Sequence, residues 1–430
     1  MIWLRRGAGI LRSKVAGGLS EMRGIPKQVG SSRWQFVALA MFCCGWGGNQ
    51  FSPLLAMYRE LGYPSATVDA FLGAYVIGVV PGLLIAGPLS DRHGRKPLMI
   101  VATAVSGLAS AVMAAAPPGE LSVYSGRFLA GIAVGIAMTV GSSWIKELSG
   151  PPYEQSADAG SGARRASVAA TAGFGSGAAV AGVLAQWAPW PMVLPYLVQV
   201  VVAVPCLVAV SRAPQPPPAG FRRPLWSDVK VRAAGNRRFL GVALPLAPWI
   251  FGAVGIAYAV APQLETSRTG HWQLAYATLL TVVTLGTGVA VQPLAKRLDS
   301  VASARASLVA LGLVLVGVLA SAVNADARSP WAAVAVAAVL GAGYSIALVA
   351  GLREVQRIAG ARDLAGLTGL YYALSYAGFL LPTALALASA VASYTELLLA
   401  VAGMVGCSLL VVLFNSTRNV PCRSEIQEVS

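Results

Sequence analysis

Charged residues are scarce in this chain. Asp, Glu, Lys and Arg make up 11% of the 430 residues, hydrophobic residues make up 56%, and the mean hydropathy is +0.66. Soluble globular proteins are roughly 45 to 50% apolar, so this composition excludes an ordinary soluble domain and predicts a polytopic membrane protein. A helix needs about 20 apolar residues to cross the hydrocarbon layer, which leaves room for about a dozen crossings with short loops.

Residues that perform metal or nucleophilic chemistry are also scarce. The two histidines, His93 and His271, lie in predicted loops. The five cysteines, at positions 43, 44, 206, 407 and 422, have no metal-ligand spacing, and we interpret them as small apolar residues without structural disulfides. Because such chemistry needs converging His, Cys, Asp or Glu side chains, we predict no metal site, no cofactor and no enzymatic activity.

A signal peptide is missing as well. Residues 1–33 carry seven cations, and they contain no apolar core of about 7 to 15 residues. Apolar and basic residues alternate there, which predicts a short helix lying on an anionic membrane surface. An organellar transit peptide is the weaker alternative.

Apolar windows predict twelve membrane spans. They lie near 34–57, 69–89, 97–116, 122–144, 166–187, 192–211, 238–261, 272–294, 304–323, 331–351, 364–387 and 393–414. With both termini in the cytoplasm, 28 of the 32 Lys and Arg residues fall in inner segments or at inner span ends. Positive charge is retained on the cytoplasmic side, so we interpret the net charge of +15 as a topology signal and predict no nucleic-acid partner.

Short motifs of the first half of the chain recur in the second half. Residues 88–92, 145–148 and 162–164 recur in the same order as 293–297, 352–355 and 360–362. We therefore predict an all-α protein of 12 transmembrane helices in two pseudo-symmetric six-helix bundles, with a solute site where the bundles meet. The predicted divisions are a basic segment 1–33, bundles 34–211 and 238–414, a cytoplasmic linker 212–237 and a cytoplasmic tail 415–430.

One short loop between the second and third spans concentrates charge. Gly87 to Lys96 reads G-P-L-S-D-R-H-G-R-K and resembles the signature loop of the major facilitator superfamily. The alternative is a basic loop that only fixes topology. The resemblance implies a two-domain transporter whose loop Asp91 meets the start of span 11 when the inner side closes. The predicted cytoplasmic gate comprises Gly87, Asp91, Arg92, Gly94, Arg95 and Lys96, with Glu147 as the partner of Arg92 or Arg95 and Glu354 at the repeat-related position.

Arg127 is a cation inside a predicted span. The stretch that begins there, R-F-L-A-G-I-A-V-G, resembles the fourth-span pattern R-x-x-x-G of the same family. A charge within a span is costly unless it is paired or hydrated, so we predict a cavity or coupling role. The alternative is that the side chain extends to the outer interface. Its predicted partners are Asn49, Gln50 and Asp69.

Acidic residues are missing from the middle of every predicted span. All 17 Asp and Glu residues lie in loops, in tails or at span edges, and only Asp69 and Glu265 lie near the outer ends of spans. Proton coupling would therefore use Asp69 with Arg127 or be absent. Span 5 resembles the family's antiporter pattern at three glycines, but Ala178 replaces the expected proline, which weakens any inference of drug antiport.

Polar and aromatic residues on otherwise apolar spans are the candidates for a solute cavity. They are Trp46, Asn49, Gln50, Tyr258, Tyr344, Tyr371, Tyr372, Ser375 and Tyr376. For each of them, ordinary helix packing is an equally good interpretation. A cavity rich in Tyr and Trp and without carboxylates would suit a neutral or anionic organic solute.

The favoured function is a secondary active transporter that moves a small organic solute by alternating access, with proton coupling left open. A facilitated-diffusion uniporter is the alternative. A non-transporting receptor or scaffold is a third, although no loop or tail is long enough for a soluble signalling domain. We expect a monomer in the bacterial inner membrane, in contact with membrane lipid.

Overall fold

A computed structural model describes residues 33–115, 119–154, 161–215, 232–300, 302–359 and 364–417, except for the side chains of residues 232, 233, 296, 364 and 365. The predicted segment 1–33 except Arg33, most of the linker and most of the tail lie outside these ranges. The described part is helical and contains no strand. Its helices are α1 (Trp34–Asn49), α2 (Phe51–Glu60), α3 (Ser65–His93), α4 (Arg95–Ala114), α5 (Glu120–Leu148), α6 (Ser161–Trp187), α7 (Leu194–Ser211), α8 (Phe239–Leu264), α9 (Thr266–Ala290), α10 (Gln292–Leu298), α11 (Arg305–Ala327), α12 (Pro330–Ile358), α13 (Gly366–Ala388) and α14 (Tyr394–Asn415).

The prediction of an all-α membrane protein is confirmed. Eleven described helices are long and apolar enough to cross a membrane. The first crossing consists of α1 and α2, which meet at Gln50. That residue keeps helical dihedral angles (φ −56°, ψ −24°), and its N–H donates to the carbonyl of Trp46 at 2.9 Å, so the two helices run on as one. Twelve crossings bring the start of α1 and the end of α14 to one side, which we call the terminus face; the opposite side is the far face.

Small residues set the packing of the N-terminal half. Helices α3 and α5 touch backbone to backbone, because a Cβ on Gly131 would lie 2.1 Å from the carbonyl oxygen of Tyr75. A Cβ on Gly78 would lie 2.1 Å from the carbonyl oxygen of Phe128. Close approach of this kind needs glycine. The glycine four residues after Arg127 therefore has a structural role.

Buried apolar side chains form three main cores. One lies within the N-terminal half, from Val37 to Ala213, and another lies within the C-terminal half, from Phe239 to Val412. The third is shared, because it joins Phe51 to Tyr196 of the first half with Val254 to Phe379 of the second. The candidate site lies in this shared core.

Candidate functional site

Arg127 is enclosed by its own half. Its side chain is 2% exposed, so the alternative in which it extends to the interface is wrong. Its Nη1 donates to the carbonyl of Gly48 at 3.0 Å, and its Nε donates to the carbonyl of Phe71 at 3.4 Å. The guanidinium carbon lies 4.6 Å from the ring centre of Phe51 and 4.5 Å from that of Tyr75. Among the described residues no carboxylate forms an ion pair with Arg127, so carbonyl dipoles and ring faces provide its counter-charge.

Asp69 has a different partner from the predicted one. Its carboxylate is 1% exposed and lies 2.5 Å from Nη2 of Arg59. The predicted pair of Asp69 with Arg127 is therefore wrong. Arg59 lies in the last turn of α2, only ten residues before Asp69, so the short connection between α2 and α3 already brings the two charges together.

Asn49 and Gln50 are also engaged elsewhere. The Asn49 side chain donates to the carbonyl of Phe174 at 3.0 Å and accepts from Ser52 at 2.6 Å. Gln50 donates to the hydroxyl of Ser110 at 2.8 Å. These bonds tie the junction of α1 and α2 to α6 and α4, whereas Arg127 takes the backbone carbonyl next to Asn49. The prediction that these two side chains pair with Arg127 is wrong.

An aromatic layer joins the halves beside Arg127. Phe251 stacks on Tyr376 at 4.3 Å between ring centres and on Phe379 at 4.8 Å, and Tyr75 meets Tyr376 at 6.0 Å. Tyr258 meets Phe379 at 6.3 Å. Tyr258 and Tyr376 were predicted from the sequence as cavity residues, whereas Tyr75, Phe251 and Phe379 were not. Tyr75 fits the same criterion of a polar aromatic residue on an apolar span, but nothing in the pattern distinguishes the two phenylalanines from core residues.

The remaining cavity candidates lie in different surroundings. Tyr344 and Tyr372 are half-buried against the shared core. Trp46 is buried, and no described group accepts a hydrogen bond from its indole N–H. Tyr371 is fully buried, donates to the carbonyl of Ala347 and packs within the C-terminal half. The hydroxyl of Ser375 donates to the carbonyl one turn earlier, so these last two residues have packing roles.

The predicted gate residues converge on Arg95 at the terminus face. Its Nη1 lies 2.6 Å from Asp91 and its Nη2 lies 3.0 Å from Glu147. Gly94 separates α3 from α4 at φ +90°, a conformation that L side chains rarely adopt. The reversal there positions Arg95 between the two carboxylates. The other predicted members lie around it: Gly87 and Arg92 in the last turns of α3, and Lys96 in the first turn of α4.

The repeat-related position has a more buried cluster. Glu354 is 3% exposed and binds Arg238, itself 2% exposed, through two hydrogen bonds of 3.0 Å. Arg357 bridges Glu354 at 3.2 Å and Asp299 at 2.6 Å, and Arg353 also pairs with Asp299. Burial alone would raise the pKa of Asp299, but the hydrogen bonds from the two arginines lower it below its usual value.

Arg238 was missed by the sequence analysis. In the predicted topology Arg238 is one of many cations on the inner side, and Arg127 is predicted to be the only cation inside a span. The structure buries both. Arg33 begins the first half as Arg238 begins the second, yet Arg33 is exposed. Arg238 is buried together with its carboxylate partner, Glu354 of α12.

Hydrogen bonds join the two halves at the far face. Gln186 of α6 donates to the carbonyl of His271 at 2.9 Å and accepts from the N–H of Ala275 at 2.9 Å. Gln263 of α8 donates to Ser65 of α3 at 2.8 Å. Among the described residues, every ion pair at the terminus face joins two residues of one half. The structure is therefore closed at the far face.

Comparison with known proteins supplies the family. The profile of the Major Facilitator Superfamily matches residues 37–382. A segment of 92 residues is 34% identical to the 4-hydroxybenzoate transporter PcaK of Pseudomonas aeruginosa, covering 21% of this chain and 20% of that protein. A segment of 89 residues is 32% identical to the multidrug resistance protein MdtL of Klebsiella pneumoniae, covering 21% and 22%. The chain thus aligns with about a fifth of the length of these curated relatives.

Two solved structures share the fold. A crystal structure of the nucleoside transporter NupG matches with a TM-score of 0.66 at 10% identity, covering 89% of this chain and 98% of that one. A POT family transporter in complex with 5-aminolevulinic acid matches with a TM-score of 0.68 at 11% identity, covering 92% and 98%. At such low identity the likeness extends to the fold alone.

Proposed function

The chain belongs to the Major Facilitator Superfamily, and from this premise we propose that it moves a small organic solute across the bacterial inner membrane by alternating access. It is an integral membrane transporter of small solutes and not an enzyme. The proposal adds the mechanism, the orientation and the solute class. We propose that a single chain, surrounded by membrane lipid, is the transporting unit.

One observation carries the mechanism. The hydrogen bonds between the halves occur at the far face, whereas the described ion pairs at the terminus face stay within each half. This is the arrangement expected when one face of a two-bundle transporter is closed and the other is released. Between the faces, α3 also packs against α13 near Leu83 and Gly369. Rocking of the halves about the aromatic layer would open the far face.

Positive charge supports the orientation. Arg95, Arg238, Arg353 and Arg357 lie at the terminus face, and retention of Lys and Arg on the cytoplasmic side would place that face inside. The far face, with the exposed tryptophans Trp187, Trp190, Trp272 and Trp331, is then the outer one. Tryptophan at a membrane interface fits this arrangement.

The solute class follows from the charge of the shared core. Arg127 has no carboxylate partner among the described residues, and the rings beside it can stack on an organic solute. A cationic solute would be repelled by Arg127, so a neutral or anionic organic solute fits best. A segment of the chain resembles PcaK, named for transport of 4-hydroxybenzoate, and this aromatic anion is the first solute to test.

A flux experiment tests the proposal. Purified protein in liposomes would be given radiolabelled 4-hydroxybenzoate, a nucleoside, a neutral sugar and a cationic dye, each with and without an imposed pH gradient. We expect saturable uptake of a neutral or anionic member of this panel and none of the dye. Accumulation above equilibrium that disappears with a protonophore indicates proton coupling, whereas equilibration alone indicates the uniporter. Uptake of the dye alone would contradict the solute class.

A further inference from the structure

Glu265 lies at the far face and has no role in the transport mechanism proposed above. It is the one residue between α8 and α9, and its side chain is fully buried. One carboxylate oxygen accepts from the amide of Asn324 at 2.8 Å, while the other, Oε2, has no hydrogen-bond partner among the described residues. A buried polar atom without a partner is unfavourable, and more so if it is charged. A proton on Oε2 would remove the negative charge and so reduce this cost.

A small cavity lies at this carboxylate. Glu265, Asn324 and Ser321 are its polar lining, and apolar residues of α8, α12 and α14 complete it. Its volume of about 10 Å³ corresponds to roughly one water molecule. The α8 wall includes Ile256 and Val260, the two ends of a π-helical turn, an irregularity that often occurs at functional sites.

The charges near Glu265 leave it without an ion pair. Arg268, in the first turn of α9, and Arg328, at the end of α11, are its neighbouring cations, and Tyr276 of α9 is a nearby titratable group. None of the described ion pairs includes Glu265. Burial is the main influence and raises the pKa of Glu265 above its usual value, while the Asn324 amide and the two arginines act in the opposite direction. The buried carboxyl is therefore best accommodated in its neutral form.

The position of Glu265 connects it to the closed far face. Gln263, two residues earlier, bonds to Ser65 of the other half. The segment that follows Glu265 carries the two groups bound by Gln186, the carbonyl of His271 and the N–H of Ala275. The carbonyl of Glu265 accepts from the N–H groups of Arg268 and Thr269, which fixes that segment. Movement of the segment around Glu265 would strain all three of these hydrogen bonds between the halves.

We propose that the carboxyl group of Glu265 is a proton-binding site that controls the far face: the protonated group holds the face closed, and loss of the proton opens it. The proton comes from water on the far side, binds Oε2 while the face is open, and returns to that water when the face reopens. The inference rests on the proposed alternating access and adds a proton site that is separate from Arg127 and the aromatic layer.

The direction with pH follows from linkage. The closed state buries the group and raises its pKa, so the closed state binds the proton more tightly than an open state in which water reaches the carboxylate. Closure is therefore favoured at low pH and lost as the pH rises. A pKa difference of one unit between the states is worth about 1.4 kcal/mol, a factor of about ten in their ratio.

Cysteine labelling in detergent measures the far face without transport. Ala185, next to Gln186, is buried in the shared core, and Ala185→Cys would be introduced into protein lacking the five native cysteines. The rate of reaction with a polar maleimide would be divided by the rate for the unfolded protein, because the thiolate fraction itself rises with pH. From about pH 5 to about pH 8 we expect the corrected rate to rise about tenfold or more.

Variants identify the group. Glu265→Gln, a mimic of the protonated form, should keep the corrected rate low and change it less than about twofold over that range. Asp326→Asn, at an exposed carboxylate near the same face, should behave as the parent. Asn324→Leu removes a donor that stabilises the charged form and should move the transition to higher pH, which keeps the test valid if the Gln variant does not fold.

Two outcomes overturn the proposal. One is a corrected rate that is independent of pH in the parent protein, or equally dependent on pH in Glu265→Gln. The other is a rate that follows Na⁺ at fixed pH when Na⁺ replaces choline, since the cavity would then hold a metal cation. Failure of flux in liposomes contradicts the proposed function and leaves the pH response of labelling as a separate result.

Discussion

Equivalent glutamates in the two halves should differ greatly in their effect on stability. Glu147 and Glu354 occupy the same position in the repeated motif, and each pairs with arginine. Glu147 is 36% exposed and Glu354 is 3% exposed. Replacing each with alanine therefore compares an ion pair in contact with solvent with one enclosed by protein.

The structure sets the expected magnitude. Glu354→Ala removes both 3.0 Å hydrogen bonds that the guanidinium of Arg238 donates to Glu354, while its bonds to the carbonyls of Asn415 and Ser416 remain and the side chain has almost no access to water. Breaking a buried pair in this way costs about 3 to 5 kcal/mol. Glu147→Ala removes an exposed pair, worth about 0 to 1 kcal/mol.

The assay is reversible unfolding of the purified protein as sodium dodecyl sulfate replaces a mild detergent, followed by helix content. Glu354→Ala should reduce the free energy of unfolding by about 2 to 5 kcal/mol more than Glu147→Ala does. A rescue variant, Arg238→Met with Glu354→Leu, should recover most of the loss, because an apolar pair carries no desolvation penalty.

Two results would refute this reasoning. Equal losses for the two single variants would mean that burial does not determine the value of these pairs. A double variant as unstable as Glu354→Ala would mean that packing around Glu354, and not the loss of its ion pair with Arg238, causes the lower stability.

Three further predictions concern transport. Arg127→Ala should abolish flux and Arg127→Lys should restore only part of it, because lysine keeps the charge but loses the planar donors; wild-type flux in Arg127→Ala at equal expression would leave the residue a packing role. Gly182→Ala should keep the far face open and raise labelling there, because a Cβ would lie 1.8 Å from a threonine hydroxyl on α9, whereas Gly175→Ala, with nothing within 4 Å, is the control; equal labelling of the two variants would contradict this. Asp91→Asn should speed labelling of a cysteine at the terminus face, because Asp91 is predicted to meet the start of span 11 when that face closes, and an anion at the N-terminus of a helix is stabilised by about 0.3 to 2 kcal/mol. Lys296→Gln, at the repeat-related position, should change the labelling rate little, and equal effects of the two substitutions would contradict this prediction.

Local patterns determined the membrane architecture. Apolar runs of span length give the crossings, because every peptide group inside a bilayer must be hydrogen-bonded within its own helix. Motifs that recur in the same order predicted two paired bundles: 88–92 resembles 293–297, and 145–148 resembles 352–355. The charge cluster from Gly87 to Lys96 predicted a loop at a membrane face, but most of that loop is wrong: α3 continues to His93 and the chain reverses at Gly94 alone. These inferences depend on hydropathy and on short motifs, so no tertiary contact is needed to draw them.

The partners of the charges required the tertiary structure. Asp69 takes the neighbouring Arg59 and leaves Arg127 to backbone carbonyls. Arg238 is buried because Glu354, 116 residues later, meets it on α12. Glu265 has the sequence context of a loop residue, yet residues of four helices surround it. Hydropathy is a property of each residue by itself, whereas burial of a charge depends on what distant helices bring beside it, and that is decided only when the bundles pack.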